Sequence, residues 1–192
     1  MRIVLADDHG LVRRGLRSLL DAEPGLQVVG EAADGREALR LCETLAPDMA
    51  ILDIGMPLMN GIEVATQAIR QRPELRVVML SMYADESYVV RALSAGAKAY
   101  LLKEDTDADL LPAVRAVAEG KSFFSPAISR ILLDDYVRQL QQKGVQDSWD
   151  LLTGREREVL QLVAAGETNS ESARLAALGV ATAERRGDER GR

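Results

Sequence analysis

Aromatic residues make up only 4% of this chain of 192 residues, and cysteine occurs once, as Cys42. The first scarcity means that any core must be aliphatic. The second excludes an internal disulfide and fits a reducing compartment. Cys42 stands among Leu39, Leu41 and Leu45, the setting of a small buried hydrophobe rather than of a redox group. Long apolar runs are missing as well: no segment reaches the ~18 residues of a membrane span. The opening Met-Arg-Ile-Val-Leu-Ala has neither the basic region nor the apolar stretch of a signal peptide. The expected location is cytoplasmic, with no membrane partner. Nor is there an excess of positive charge, since 24 lysines and arginines face 30 acids for a net charge of −6. That balance excludes a chain-wide electrostatic grip on nucleic acid and leaves room only for a local one. With 47% hydrophobic and 28% charged residues, the composition is that of a globular protein, long enough for one domain and a small second one.

Five short aliphatic runs are present, at Ile3–Ala6, Gln27–Val29, Met49–Leu52, Arg76–Leu80 and Ala99–Leu102. Each is too short for a helix and suits a strand buried on both faces. Amphipathic stretches separate them; Leu11, Val12, Gly15, Leu16, Leu19 and Leu20 share one helical face, and Ala38, Leu39, Leu41 and Leu45 another. Pro24-Gly25, Pro47, Pro73, Gly96 and Gly120 follow the five helical stretches as stop signals. Alternation of this kind predicts right-handed crossovers and a doubly wound, parallel (βα)5 sheet of the α/β class over residues 1–120.

Four of the runs end on residues suited to phosphoryl chemistry: Asp7 and Asp8 after Ala6, Asp53 after Leu52, Ser81 after Leu80, and Lys103 after Leu102. The carboxyl ends of parallel strands share one edge, where open α/β sheets bind their ligands. Three carboxylates there suit a hard divalent cation with oxygen ligands, Mg2+ above all. One carboxylate, centrally Asp53, can then act as nucleophile toward phosphorus while Lys103 and the metal neutralise charge. Singly, each residue has a plainer reading as a turn former, a helix cap or a solvated charge, and His9 reads as a local hydrogen-bonding partner. Their coincidence at four strand ends is what points to chemistry.

Ala-Asp7-Asp8-His9, Leu-Asp53-Ile-Gly-Met56-Pro57-Leu-Met-Asn-Gly61, Leu-Ser81 and Ala-Tyr100-Leu-Leu-Lys103 resemble the signature of two-component response-regulator receiver domains. The resemblance implies a flavodoxin-like sheet of strand order 2-1-3-4-5, and Asp53 as acceptor of a phosphoryl group from a sensor histidine kinase. It implies Mg2+ held by Asp8, Asp53 and the Gly55 carbonyl, with Asp7 supporting through water. It further implies a switch in which Ser81 reaches the new phosphoryl group and Tyr100 turns inward behind it, and it admits a phosphorylation-dependent homodimer. Glu104 departs from the proline that many receivers have after the lysine.

Residues 121–148 read as a helical linker carrying Ile128, Ile131, Leu132, Tyr136, Val137 and Leu140. Over residues 149–192, Leu152-Thr-Gly-Arg-Glu156-Arg-Glu-Val-Leu160, Ala164-Ala-Gly166 and Thr168-Asn169-Ser-Glu171 are similar to the start of the NarL/FixJ/LuxR-type helix-turn-helix. The resemblance implies promoter DNA as partner, contacted by Thr168, Asn169, Arg174, Thr182, Arg185 and Arg186. Ser172, Ala176 and Ala183 replace aliphatic or β-branched residues of that family, Gly179 replaces a hydroxyl-bearing cap, and from Leu151 onward seven arginines meet seven acids. The output unit is therefore expected to be incomplete. The main expectation is a phosphorylation-controlled regulator of transcription; the alternative is a signalling protein that works through phosphoryl exchange or protein partners alone. An enzyme of the haloacid-dehalogenase type is not expected, because Gly55 stands where such phosphatases carry their second Asp.

Overall fold

A computed structural model of the protein describes residues 1–142. Six strands form one parallel sheet: β1 (Arg2–Ala6), β2 (Gln27–Ala32), β3 (Met49–Asp53), β4 (Arg76–Ser81), β5 (Ala99–Leu102) and β6 (Phe123–Phe124), in the order β2-β1-β3-β4-β5-β6. The helices between them are α1 (Gly10–Ala22), α2 (Gly35–Leu45), α3 (Gly61–Gln71), α4 (Glu86–Ser94) and α5 (Thr106–Ala118). The chain divides into two units after Ser125, and the second opens with α6 (Pro126–Gln142). No described helix is long and apolar enough to cross a membrane. Thr168, Asn169, Arg174, Thr182, Arg185 and Arg186, with the rest of the expected helix-turn-helix, lie outside the described residues.

The doubly wound architecture follows from side-chain alternation in strands that are covered on both sides. Ile3 and Leu5, Met49 and Ile51, Val78 and Leu80, and Ala99 and Leu101 line one face, where Leu16 and Leu20 of α1 and Leu110, Val114 and Val117 of α5 complete an aliphatic core. The alternate strand residues, Val4, Ala6, Ala50, Leu52, Val77, Met79 and Tyr100, are equally buried and belong to the face that α2 and α3 cover. Cys42 lies there, 1% exposed, and burial pushes its thiol up to about 11, as suits a packed hydrophobe.

The expected stop signals act at the helix ends. Gly96 and Gly120 have φ of 97° and 81° just after α4 and α5, the left-handed conformation a residue with a Cβ resists. Asp34, Asn60 and Asp85 cap α2, α3 and α4 by accepting the N–H groups of Glu37, Glu63 and Ser87.

Two details differ from expectation. Leu11, assigned to the apolar face of the first helix, is 77% exposed; at 3.6 residues per turn it lies roughly opposite Leu20. The sheet also gains β6, in which Phe123 pairs with Ala99 and Phe124 with Tyr100, anchored by Phe123 N–H on the Lys98 carbonyl at 3.0 Å. Two residues are too few to carry a readable period.

Leu20 is fully buried between α1 and the sheet. Leu20→Ala is expected to cost about 2–5 kcal/mol, read in urea unfolding as a lower midpoint at unchanged slope; a loss near zero would mean that this layer does not hold α1.

Candidate functional site

Continuing the alternation past the strand ends sorts the chemistry-bearing residues into two groups. Asp7, Asp53 and Lys103 fall in phase with Leu5, Ile51 and Leu101, on the α1/α5 side; Ser81 falls in phase with Met79, its neighbour Tyr100 across the β4–β5 pairing being in the same phase. Each group converges on its own centre.

In the first, the Lys103 ammonium lies 2.8 Å from Asp7 Oδ2 and 2.9 Å from Asp53 Oδ2, and all three side chains are buried. Two carboxylates thus share one ammonium. Burial drives the Asp53 carboxyl above its ordinary range, with Lys103 opposing and Asp7 reinforcing. For Lys103, burial works against the charged form, but hydrogen bonds with Asp53 and Asp7 outweigh it and hold the ammonium above the usual lysine value. The lysine is the first residue of a tight 3-10 turn, Lys103–Asp105, so Glu104 in place of proline still leaves the ammonium in the pocket.

Asp8 stands at the mouth of this pocket, 31% exposed, with His9 Nδ1 2.7 Å from its Oδ1. His9 is the N-cap residue of α1, but its side chain makes no cap hydrogen bond and meets Asp8 instead. One ligand atom from each of Asp7, Asp8, His9 and Asp53 falls within 4.8 Å of the others. The donor set is dominated by carboxylate oxygen, which fits a hard divalent cation. Asp7 is the least free of the three acids, with Oδ1 accepting the His9 N–H at 2.8 Å and Oδ2 on Lys103.

The loop after β3 is locked against Asp53. Gly55 N–H donates to Asp53 Oδ1 at 3.3 Å. Pro57 to Met59 closes a γ-turn, Met59 N–H to Pro57 carbonyl at 2.8 Å, around Leu58 at φ 66°. At Gly61 a Cβ would stand 2.2 Å from the Asp53 carbonyl oxygen, and at Gly35 it would stand 1.9 Å from that of Met59. Only glycine permits either approach.

In the second group, Ser81 and Tyr100 meet on the backbone of Tyr83. Ser81 Oγ donates to the Tyr83 carbonyl at 3.0 Å and accepts its N–H at 3.1 Å. The Tyr100 hydroxyl donates to the same carbonyl at 2.9 Å, with its ring fully buried. Sequence reasoning found both side chains but not Tyr83, which contributes main chain only and leaves no residue-type signal.

A 2-1-3-4-5 parallel sheet with an Asp-Asp-Lys cluster on its carboxyl edge defines the receiver fold. Comparison with known proteins makes the assignment specific. Residues 3–115 match the response regulator receiver domain family, and the chain belongs to it. The transcriptional regulatory protein YhcZ of Bacillus subtilis is 42% identical over 90% of this chain and 79% of its own length. The oxygen regulatory protein NreC of Staphylococcus epidermidis is 37% identical over 96% of this chain and 86% of its own. Among solved structures, a LuxR-family two-component response regulator from Aurantimonas sp. SI85-9A1 has 34% identity and a TM-score of 0.67, covering 71% of this chain and 97% of that one. The RcsB response regulator of Salmonella typhimurium, at 28% identity and a TM-score of 0.65, covers 92% of this chain and 83% of its own.

The close approach at Gly61 yields one expectation: Gly61→Ala forces Asp53 or α3 to shift and costs about 1–3 kcal/mol in denaturant unfolding, and an unchanged midpoint would show that the loop yields freely. The raised Asp53 carboxyl yields another. The folded state binds its proton more readily than the unfolded chain, so ionisation lowers stability as pH rises above the unfolded carboxylate value, in full above the folded one. Asp53→Asn should therefore melt higher than wild type at pH 7, and the gap should close as pH falls through that window. A variant melting lower at pH 7 would mean that pairing with Lys103 outweighs burial.

Proposed function

We propose that the protein is a phosphorylation-controlled regulator of transcription whose Asp53 accepts a phosphoryl group from the phosphohistidine of a sensor kinase. The observation that carries this reading is the Lys103 ammonium bridging buried Asp7 and Asp53 beside Asp8, in a chain of the receiver family. A carboxylate oxygen of Asp53 attacks phosphorus, the P–N bond breaks with its electron pair going to the imidazole, and the product is an acyl phosphate. Lys103, already charged and hydrogen-bonded to Asp53, meets the negative charge that arrives there.

Asp8 and Asp53, with the Gly55 carbonyl and with Asp7 supporting from behind, are the residues that would hold Mg2+. When bound, that ion supplies charge neutralisation on the transferring group. Ser81 and Tyr100 serve as the switch: both are held by the Tyr83 main chain, so a phosphoryl group that recruits the Ser81 hydroxyl withdraws one of the hydrogen bonds at that peptide. The receiver read over residues 1–120 extends through β6 to Ser125, the helical linker read over 121–148 begins with α6, and 149–192 act as an incomplete LuxR-type output unit. Similarity to transcriptional regulators over 96% of this chain, well past the receiver, supports the last assignment. The protein is a phosphoacceptor in the cytoplasm rather than an enzyme acting on an external substrate, and promoter DNA is its output partner.

Incubation with acetyl phosphate and Mg2+, followed by intact mass, tests the phosphoacceptor. The expected result is one phosphoryl mass added to wild type and none to Asp53→Asn. An unmodified but folded wild type overturns the reading. Gel-shift titration with promoter fragments, with and without acetyl phosphate, then separates the DNA-binding regulator from a receiver that signals through proteins alone.

A further inference from the structure

Arg13 is the fourth residue of α1, in a first turn that contains no acid. A helix N-terminus disfavours a cation, so its presence there calls for a partner strong enough to offset the dipole. That partner is main chain: Arg13 Nη1 donates to the Asp7 carbonyl oxygen at 2.5 Å. The guanidinium is steered from β2, because Arg13 Nε lies 3.5 Å from Glu31 Oε2, with the two side chains only 21% and 27% exposed. Glu31 is braced in turn by Arg17, and Arg17 by Asp21 at 3.1 Å.

This contact completes the fixation of Asp7. Its N–H donates to the Ala32 carbonyl at 3.1 Å, Oδ1 accepts His9 N–H, Oδ2 faces Lys103, and the carbonyl is taken by Arg13. That carbonyl belongs to the planar peptide whose nitrogen is the nitrogen of Asp8. Pinning its oxygen sets the plane, and the plane sets the direction in which Asp8 leaves the chain. Asp8 is the partly exposed acid of the cluster, with His9 as its side-chain neighbour, so its aim depends most on the backbone beneath it.

We propose that Arg13 is a positioning residue for the divalent-cation site, holding the Asp7–Asp8 peptide so that Asp8 is pre-aimed as a ligand; this rests on the Mg2+ reading above. The sign of the effect separates positioning from simple charge. If Arg13 acted only through its positive charge, removing it would tighten Mg2+ binding; if it positions Asp8, removing it weakens binding.

Calorimetric titration of Mg2+ into the full chain decides between these. Arg13→Met is expected to bind about tenfold more weakly, the scale of losing a support for a metal ligand. Arg13→Lys, which keeps a cationic donor, recovers most of the loss. Arg14→Met removes the same charge from the neighbouring position and stays within about twofold of wild type. Acetyl phosphate kinetics give a second readout: the half-saturating Mg2+ concentration rises in Arg13→Met while the rate at saturating Mg2+ changes little. Circular dichroism establishes that each variant is folded. If Arg13→Met does not fold, Glu31→Gln releases the guanidinium from β2 without touching the Asp7 carbonyl, and should weaken Mg2+ binding by a smaller factor. Unchanged or tighter binding in the folded variant overturns the inference alone, whereas a wild type that binds no Mg2+ overturns the metal reading and the inference with it.

Discussion

One ammonium between two buried carboxylates sets the terms for the rest of the receiver unit. Asp7 and Asp53 sit at the ends of adjacent strands with Lys103 reaching both, which leaves the pocket with an unmatched negative charge. Burying charge in this way is poor economy for stability alone, since apolar groups of similar volume often do as well or better. With Asp8 beside them, the carboxylates form an oxygen-rich donor set of the kind a hard divalent cation favours. The aliphatic core beneath it, built from Leu16, Leu20, Ile51, Leu80, Leu101, Leu110 and Val114, supplies the rigidity that holds the two carboxylates and their shared ammonium in place against the repulsion between the carboxylates and the pull of water.

The two-residue period of a strand then divides labour across the sheet. Residues of one phase carry the charged cluster; residues of the other carry Ser81 and Tyr100, which meet at the Tyr83 peptide rather than at each other's side chains. A single main-chain carbonyl accepting from both hydroxyls couples a residue near the acidic pocket to an aromatic ring buried two strands from Asp53 in the sheet order. Each hydrogen bond is modest by itself. Their shared acceptor ties the loop after β4 to both side chains.

Much of this was readable from residues alone. The five principal strands, their punctuation by Gly96 and Gly120, and the convergence of Asp7, Asp8, Asp53 and Lys103 on one edge all follow from short aliphatic runs ending in polar residues. What escaped has specific causes. β6 is two residues long and owes its existence to the exposed edge of β5, a tertiary circumstance. Leu11 looked like core because leucine usually is, yet its angular position on α1 turns it outward. Tyr83 and the Asp7 carbonyl act through main-chain atoms, which every residue possesses, so no residue type announces them. Arg13 has no signature in the sequence either, because its partner is that same main-chain carbonyl. The strained φ of Leu58 likewise has no residue signature, being imposed by the γ-turn between Asp53 and Gly61.

The small sixth strand places the chain's exit from the sheet. Phe124 is registered beside Tyr100, and Ser125 is the last residue of the first unit. The departing backbone is therefore stitched directly to the strand that carries the buried ring. Any displacement of β5 would be felt first at Phe123 and Phe124, the last strand residues before the first unit ends at Ser125. The strand that holds the Tyr100 ring and the strand by which the chain leaves the first unit are thus hydrogen-bonded neighbours.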